Sequence, residues 1–99
     1  MVDTVDIADI LKSGNYRRLE KASREIADAA EHSVGEDYYK PLHRQHIGRI
    51  ASGKINPTNW TMERLLHAVN RVAQEDFGRY RPFGFDDLHR VLGGSDQGG

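Results

Sequence analysis

Hydrophobic residues recur along most of the chain at steps of three and four, which is the spacing of one helix face. One continuous apolar face predicts a helix over residues 62–74, and it is formed by Met62, Leu65, Leu66, Val69, Val72 and Ala73. A second series predicts a helix over residues 15–33, and it is formed by Leu19, Ala22, Ile26, Ala29 and Ala30. No segment alternates polar and apolar residues for long enough to indicate a strand. The pattern therefore predicts an all-α fold.

Three shorter helices complete a predicted compact bundle of about five helices. The first spans residues 4–12, and the second spans residues 42–52 after Pro41, a residue that suits the first turn of a helix. The third begins with Asp86 or Asp87 as its cap. Its apolar side chains are Leu88, Val91 and Leu92.

Composition limits the class of protein. A chain of 99 residues has room for one domain, and we expect it to span residues 1–94 with residues 95–99 as a disordered tail. The absence of cysteine excludes disulfides and thiolate metal sites. No run approaches the ~18 apolar residues of a membrane span, and the acidic start of the chain is unlike a basic signal peptide. These features favour a cytoplasmic protein that does not contact a membrane.

The formal net charge of −1 hides an uneven distribution along the chain. Residues 1–37 carry nine acids and five bases, whereas residues 38–60 carry four bases and no acid. The four bases are Lys40, Arg44, Arg49 and Lys54. A locally basic segment in an acidic protein is typical of a directed contact with a polyanion.

The same basic segment contains a recognisable order of residues. Residues 45–58 read Gln-His-Ile-Gly-Arg-Ile-Ala-Ser-Gly-Lys-Ile-Asn-Pro-Thr, and residues 61–69 read Thr-Met-Glu-Arg-Leu-Leu-His-Ala-Val. This order resembles the second half of the helix-turn-helix domain of the Cro/C1 (phage repressor-like, XRE-type) family. The likeness rests on two isoleucines three residues apart, a Gly-Lys turn, an Asn-Pro pair and a Thr-capped helix with Leu-Leu and Ala. It implies a lambda repressor-like bundle containing a variant helix-turn-helix.

Eight residues are candidates for contact with DNA. If Ile47 and Ile50 point inward, then Arg44, Gln45, His46 and Arg49 turn partly or wholly outward. Glutamine can bond adenine and arginine can bond guanine in a bidentate manner in the major groove. Beyond the helix, polar groups and backbone amides can bind phosphates, and these residues are Lys54, Asn56, Thr58 and Asn59.

One departure from the family pattern concerns the turn before the recognition helix. Gly35 lies twelve residues before Ile47, where the usual spacing is about six. Residues 36–41 are therefore expected to form an insertion, with Tyr38 and Tyr39 packing beneath it.

Two other features have alternative interpretations. Trp60 is expected to belong to the core, although an aromatic ring can also stack on a base or sugar. Residues 79–85 mix bases with aromatics, which suits an arm on DNA, but packing or a dimer contact is the favoured interpretation. The residues expected to form that contact are Phe83, Phe85, Leu88 and Leu92.

Other chemistries have little support in the sequence. His43 and His46 are spaced to share a metal, but no third ligand has a suitable spacing, so no metal is expected. No Gly-rich phosphate loop and no recognisable catalytic arrangement is present. We therefore expect no enzyme activity, no cofactor and no small-molecule substrate.

The leading hypothesis is a sequence-specific transcriptional regulator that inserts the 42–52 helix into the major groove of operator DNA. The resemblance implies a repressor, of phage or mobile-element origin, that acts as a homodimer. The alternative is a protein–protein interaction module on the same scaffold, such as an antagonist of another regulator. The acidic first third of the chain motivates that alternative, because it would repel DNA if it faced the groove.

Overall fold

The computed structural model describes residues 5–34 and 40–92, and every regular element within them is helical. The five α-helices are α1 (Ile7–Ile10), α2 (Tyr16–Val34), α3 (Arg44–Ala51), α4 (Asn59–Phe77) and α5 (Phe85–Val91). A 3-10 turn over Ser13–Asn15 joins α1 to α2. The predicted all-α bundle of five helices is confirmed. Gly35, Tyr38, Tyr39 and the predicted tail lie outside the described residues.

Helices α2 and α4 form the centre of the bundle and run antiparallel. At the start of α2, the Arg18 guanidinium contacts Glu75 and Asp76 at the end of α4, at 2.6 and 2.9 Å. Farther along α2, Glu25 contacts Arg71, one turn earlier on α4. The whole apolar face predicted for α4 is buried, so its side chains form the largest part of the core. The other helices pack around this pair.

The predicted inward side chains of α3 are in the core. Ile47 and Ile50 are both buried and belong to the same hydrophobic cluster as Leu19 and Leu65. Since an isolated helix of eight residues is not stable in water, α3 depends on this burial for its position.

Several helix ends differ from the sequence prediction. α1 covers only four residues, because Asp6 caps it at Ile7 and Leu11 already leaves helical geometry. α3 begins two residues later than predicted, and Pro41 precedes it in an extended segment rather than in its first turn. α4 begins at Asn59, three residues before the predicted start, because the Thr58 hydroxyl accepts the Thr61 N–H at 3.2 Å.

The earlier start of α4 changes the position of Trp60. The expectation that Trp60 belongs to the core is wrong, because its side chain is 37 % exposed. The Arg64 guanidinium lies 5.7 Å from the centre of the indole ring, one turn along α4. Arg64 also donates to the Lys40 carbonyl at 2.8 Å, which ties the segment before α3 to the start of α4.

The segment between α4 and α5 contains residues 79–85, for which packing or a dimer contact is the favoured interpretation. The Asn70 side chain bonds both the N–H and the carbonyl of Phe83, at 2.7 and 3.2 Å, and holds its ring in the core. Leu88 is also buried. Phe83 and Leu88 therefore pack within the chain, as one half of the favoured interpretation expects, and their burial removes them from a dimer contact. Phe85 stays exposed.

Candidate nucleic-acid interface

The eight predicted residues lie on two consecutive pieces of the structure. Arg44, Gln45, His46 and Arg49 belong to α3, while Lys54, Asn56, Thr58 and Asn59 belong to the α3–α4 loop and the start of α4. We call this set the candidate interface. All of its members are exposed except His46, which is half-buried.

The outer edge of α3 carries the two side chains best suited to base contacts. Gln45 and Arg49 are one turn apart, so they point to the same side of the helix. Both are exposed, and among residues 5–29 and 40–92, whose side chains the structure describes, none makes a hydrogen bond or ion pair with the side chain of either. The buried isoleucines on the opposite side hold this edge outward. The free donors and acceptors of Gln45 and Arg49 are therefore available to a ligand.

Gly48 has a packing role between those two positions. A Cβ at this position would lie 3.2 Å from Cε2 of Tyr16, which is tighter than ordinary contact. The absence of a side chain lets α3 approach the first residue of α2. The glycine therefore sets how closely the two helices cross.

The end of α3 directs the chain toward the start of α4. Gly53 adopts φ +80°, a conformation that favours glycine, and the Lys54 N–H donates to the Arg49 carbonyl at 2.9 Å. This turn leaves Lys54 exposed directly beyond α3. The hydroxyl of Thr58 is occupied by capping α4, so its contribution to the candidate interface is to fix the start of that helix.

Arg44 is held differently from Gln45 and Arg49. Its Nη1 lies 3.3 Å from Oε1 of Glu20, a residue of α2 whose side chain is only 7 % exposed, while Arg44 itself is 48 % exposed. The Nδ1 of His43 lies 3.1 Å from Oε2 of the same carboxylate, and Arg24 lies 3.8 Å from it. Of the arginines predicted to contact DNA, Arg44 thus pairs with an acid of the first third of the chain, and Arg49 does not.

Two α2 side chains hold the beginning of α3. The Ser23 hydroxyl, fully buried, accepts the Leu42 N–H at 2.8 Å. Burial alone would raise the pKa of Glu20, but backbone and side-chain hydrogen bonds from Arg44 and the positive charge nearby outweigh it, so the pKa lies below its ordinary value. His43, the N-cap residue of α3, makes no capping bond with its own side chain. Glu20 therefore stabilises the N-terminus of α3 from a neighbouring helix.

The substitution Glu20→Gln is expected to make the free energy of unfolding less dependent on pH in acid. A carboxyl group with a lowered folded pKa stabilises the protein above its ordinary pKa of about 4.3, and this stabilisation is lost as the pH falls through the folded value. At pH 7 we expect the variant to be less stable by about 1–2 kcal/mol. Urea unfolding at pH 7 and at pH 3.5 measures whether the difference in free energy of unfolding between wild type and Glu20→Gln is smaller at the lower pH.

The control for this measurement is Glu25→Gln, which removes a carboxylate from the same helix on the side that faces α4. Glu25 is 39 % exposed, so its loss at neutral pH should cost less than that of Glu20. A constant gap between wild type and Glu20→Gln at both pH values would contradict the role assigned to this carboxylate.

A groove next to α3 is lined in part by Arg17, a cation that is not among the residues predicted to contact DNA. The groove has a volume of about 590 Å³ and is lined by Ser13, Gly14, Tyr16, Arg17, Arg44, Gln45 and Gly48. Arg17 is exposed and lies beside α3 because α3 runs back along α2 toward Tyr16. The pair Arg17-Arg18 is visible in the sequence, but only the crossing of the helices separates Arg17, beside α3, from Arg18, beside α4.

Comparisons with known proteins give no independent assignment, since no family model, curated protein or solved structure matches the chain. None of the described helices combines the length and apolar character needed to cross a bilayer. Within the described residues, no three acidic, histidine or cysteine side chains are grouped so as to hold a metal ion.

Proposed function

We propose that the protein is a sequence-specific DNA-binding transcriptional regulator that inserts α3 into the major groove. The observation that carries the proposal is the outer edge of α3, where Gln45 and Arg49 are exposed and unengaged by described side chains, opposite two buried isoleucines. The likeness of residues 45–69 to the Cro/C1 family supports it.

The dimensions of α3 suit this role. Eight residues at 1.5 Å per residue give a helix about 12 Å long, comparable with the width of the major groove. In this position Gln45 would bond an adenine and Arg49 a guanine. Lys54 beyond the helix and Arg17 beside it would contact phosphates on either side.

The start of α4 offers a further phosphate contact. Asn56 and Asn59 are exposed there, and the first backbone amides of a helix attract an anion. Trp60, exposed at the same place, would lie against the sugar-phosphate backbone. These contacts would fix the orientation of α3 without reading sequence.

A homodimer would supply the affinity that one protomer lacks. The proposal places three exposed cations of each protomer against DNA, Arg17, Arg49 and Lys54, and this number is small for a DNA-binding protein. Tyr80 follows the end of α4 and Phe85 begins α5; they are respectively 75 % and 43 % exposed, and we assign them to the contact between protomers. We propose that such a dimer represses by blocking a promoter.

Salt-dependent binding to the DNA upstream of the gene tests the proposal. With three cations contacting DNA, the logarithm of affinity should fall with the logarithm of salt with a slope of about −2.7 for a protomer and about −5.4 for a dimer. Raising salt from 50 to 200 mM should then weaken binding about 40-fold for a protomer and about 1,800-fold for a dimer. Fluorescence anisotropy on labelled duplexes measures this, with a shuffled duplex of equal composition as control. An absence of binding at 50 mM salt would contradict the proposal.

A protein-interaction module remains the second candidate, because Phe77, Tyr80 and Phe85 expose apolar surface near the end of α4. In that case the protein would bind a protein partner through these aromatics and would fail to bind the duplexes at low salt.

A further inference from the structure

Glu20 is the only buried acidic residue among residues 5–29 and 40–92, whose side chains the structure describes. Both of its carboxylate oxygens are paired: Oε1 lies beside the guanidinium of Arg44, while Oε2 lies beside the imidazole of His43 and the guanidinium of Arg24. A carboxylate rarely lies buried unless it is paired, so this cluster fixes its position. Of its partners, Arg44 is the one that also lines the groove beside α3.

We infer that Glu20, by pairing with Arg44, weakens the attraction between the Arg44 guanidinium and polyanions. Glu20 thereby limits sequence-independent binding by the α3 surface. The inference rests on the proposed function for its biological meaning, although the charge effect itself does not require an operator. Glu20 acts through Arg44 and is therefore a positioning residue.

The physical basis is the way in which non-specific binding depends on charge. Sequence-independent affinity for DNA arises from cations that displace counterions from phosphates. An arginine whose guanidinium already contacts a buried carboxylate contributes less to that displacement. The specificity of a regulator is the ratio of its specific to its non-specific affinity. In the proposed complex Gln45 and Arg49 make the base contacts, so a carboxylate that neutralises Arg44 lowers the charge-driven affinity for any DNA without removing a base contact, and base contacts then supply a larger share of binding to the operator.

The geometry explains why Arg44 is affected and Arg49 is not. Arg44 is the first residue of α3 and lies beside Glu20. Arg49 lies more than one turn farther along α3, next to Gly48. At that point of the helix the described neighbour on α2 is the ring of Tyr16. The two arginines of one short helix thus have different environments. One is held beside an acid and the other is free to read a base.

The test compares Glu20→Gln with Glu25→Gln, which removes the same charge from the same helix but faces α4. Gln has the shape of Glu and can still accept a hydrogen bond from Arg44, so the fold should persist. On random-sequence duplex at 0.1 M salt, releasing one arginine should raise affinity about eightfold per protomer and steepen the salt slope by about 0.9. Adding Arg44→Gln to Glu20→Gln should remove the gain.

Heparin is a polyanion other than DNA, so elution from heparin measures the same effect of Glu20 on Arg44. Glu20→Gln should elute at higher salt than Glu25→Gln. If wild type fails to bind any duplex while this difference in elution persists, the proposed function fails and the inference stands. Equal elution and equal salt slopes for the two variants would overturn the inference. Should Glu20→Gln be unfolded by circular dichroism, Glu20→Asp replaces it. Asp keeps the net charge and draws the carboxylate back from Arg44, so wild-type elution for this variant would also overturn the inference.

Discussion

The double substitution Gln45→Ala with Arg49→Ala should remove most of the discrimination between operator and random DNA. A bidentate contact between a side chain and a base contributes about 1–3 kcal/mol of discrimination. Loss of two such contacts costs about 2–6 kcal/mol, or a loss of operator affinity of about 30-fold or more. Affinity for random DNA should fall by less than tenfold, because only one charge is removed. Anisotropy titrations on both duplexes measure the ratio of the affinity for operator to the affinity for random DNA.

The matched control is Gln74→Ala with Arg81→Ala. These two residues are exposed at the end of α4 and in the connection to α5, they are not members of the candidate interface, and the change removes the same residue types and the same charge. We expect the affinity of this control for the operator to stay within about twofold of wild type. If the Gln45 and Arg49 variant also bound the operator like wild type, α3 would not be the reading helix.

The side of α3 that faces the core could be predicted from the sequence, because it depends only on the spacing of neighbouring residues. Two isoleucines three residues apart must lie on one side of a helix, so burying them turns Gln45 and Arg49 outward whatever the rest of the bundle does. The pairing of Arg44 with Glu20 is different in kind. These residues are 24 positions apart, and their contact depends on where α3 crosses α2, which no periodicity encodes.

The exposure of Trp60 illustrates how one helix boundary affects a side chain. With the helix predicted to begin at residue 62, Trp60 fell in a loop and its size favoured burial. With α4 beginning at Asn59, Trp60 lies one turn before Arg64 on the outward side of the helix, about 200° from the buried Met62. The sequence contained the necessary signal in Thr58, because threonine is a favoured N-cap residue whose hydroxyl accepts the backbone N–H of the third residue after it, here Thr61.

The substitution Ile50→Ala should lower the free energy of unfolding by about 2–5 kcal/mol, because Ile50 is buried in the main cluster and its removal leaves a cavity under α3. A domain of this size has a total stability of about 5–15 kcal/mol, so the loss is a large fraction of the whole. Each kcal/mol corresponds to about 4–8 °C in Tm, which gives an expected fall of more than ~10 °C. Urea unfolding and thermal melting followed by circular dichroism measure both quantities.

Ile55→Ala is the matched control for this effect, since the same side chain is shortened five residues away, in the α3–α4 loop. Ile55 is only half-buried at the edge of the cluster, so its replacement should cost about 1 kcal/mol or less. The difference between the two variants measures how firmly the core holds α3. Because α3 is too short to persist without that support, equal stabilities of the two variants would mean that the isoleucines do not anchor α3. The outward direction of Gln45 and Arg49 would then have no structural cause.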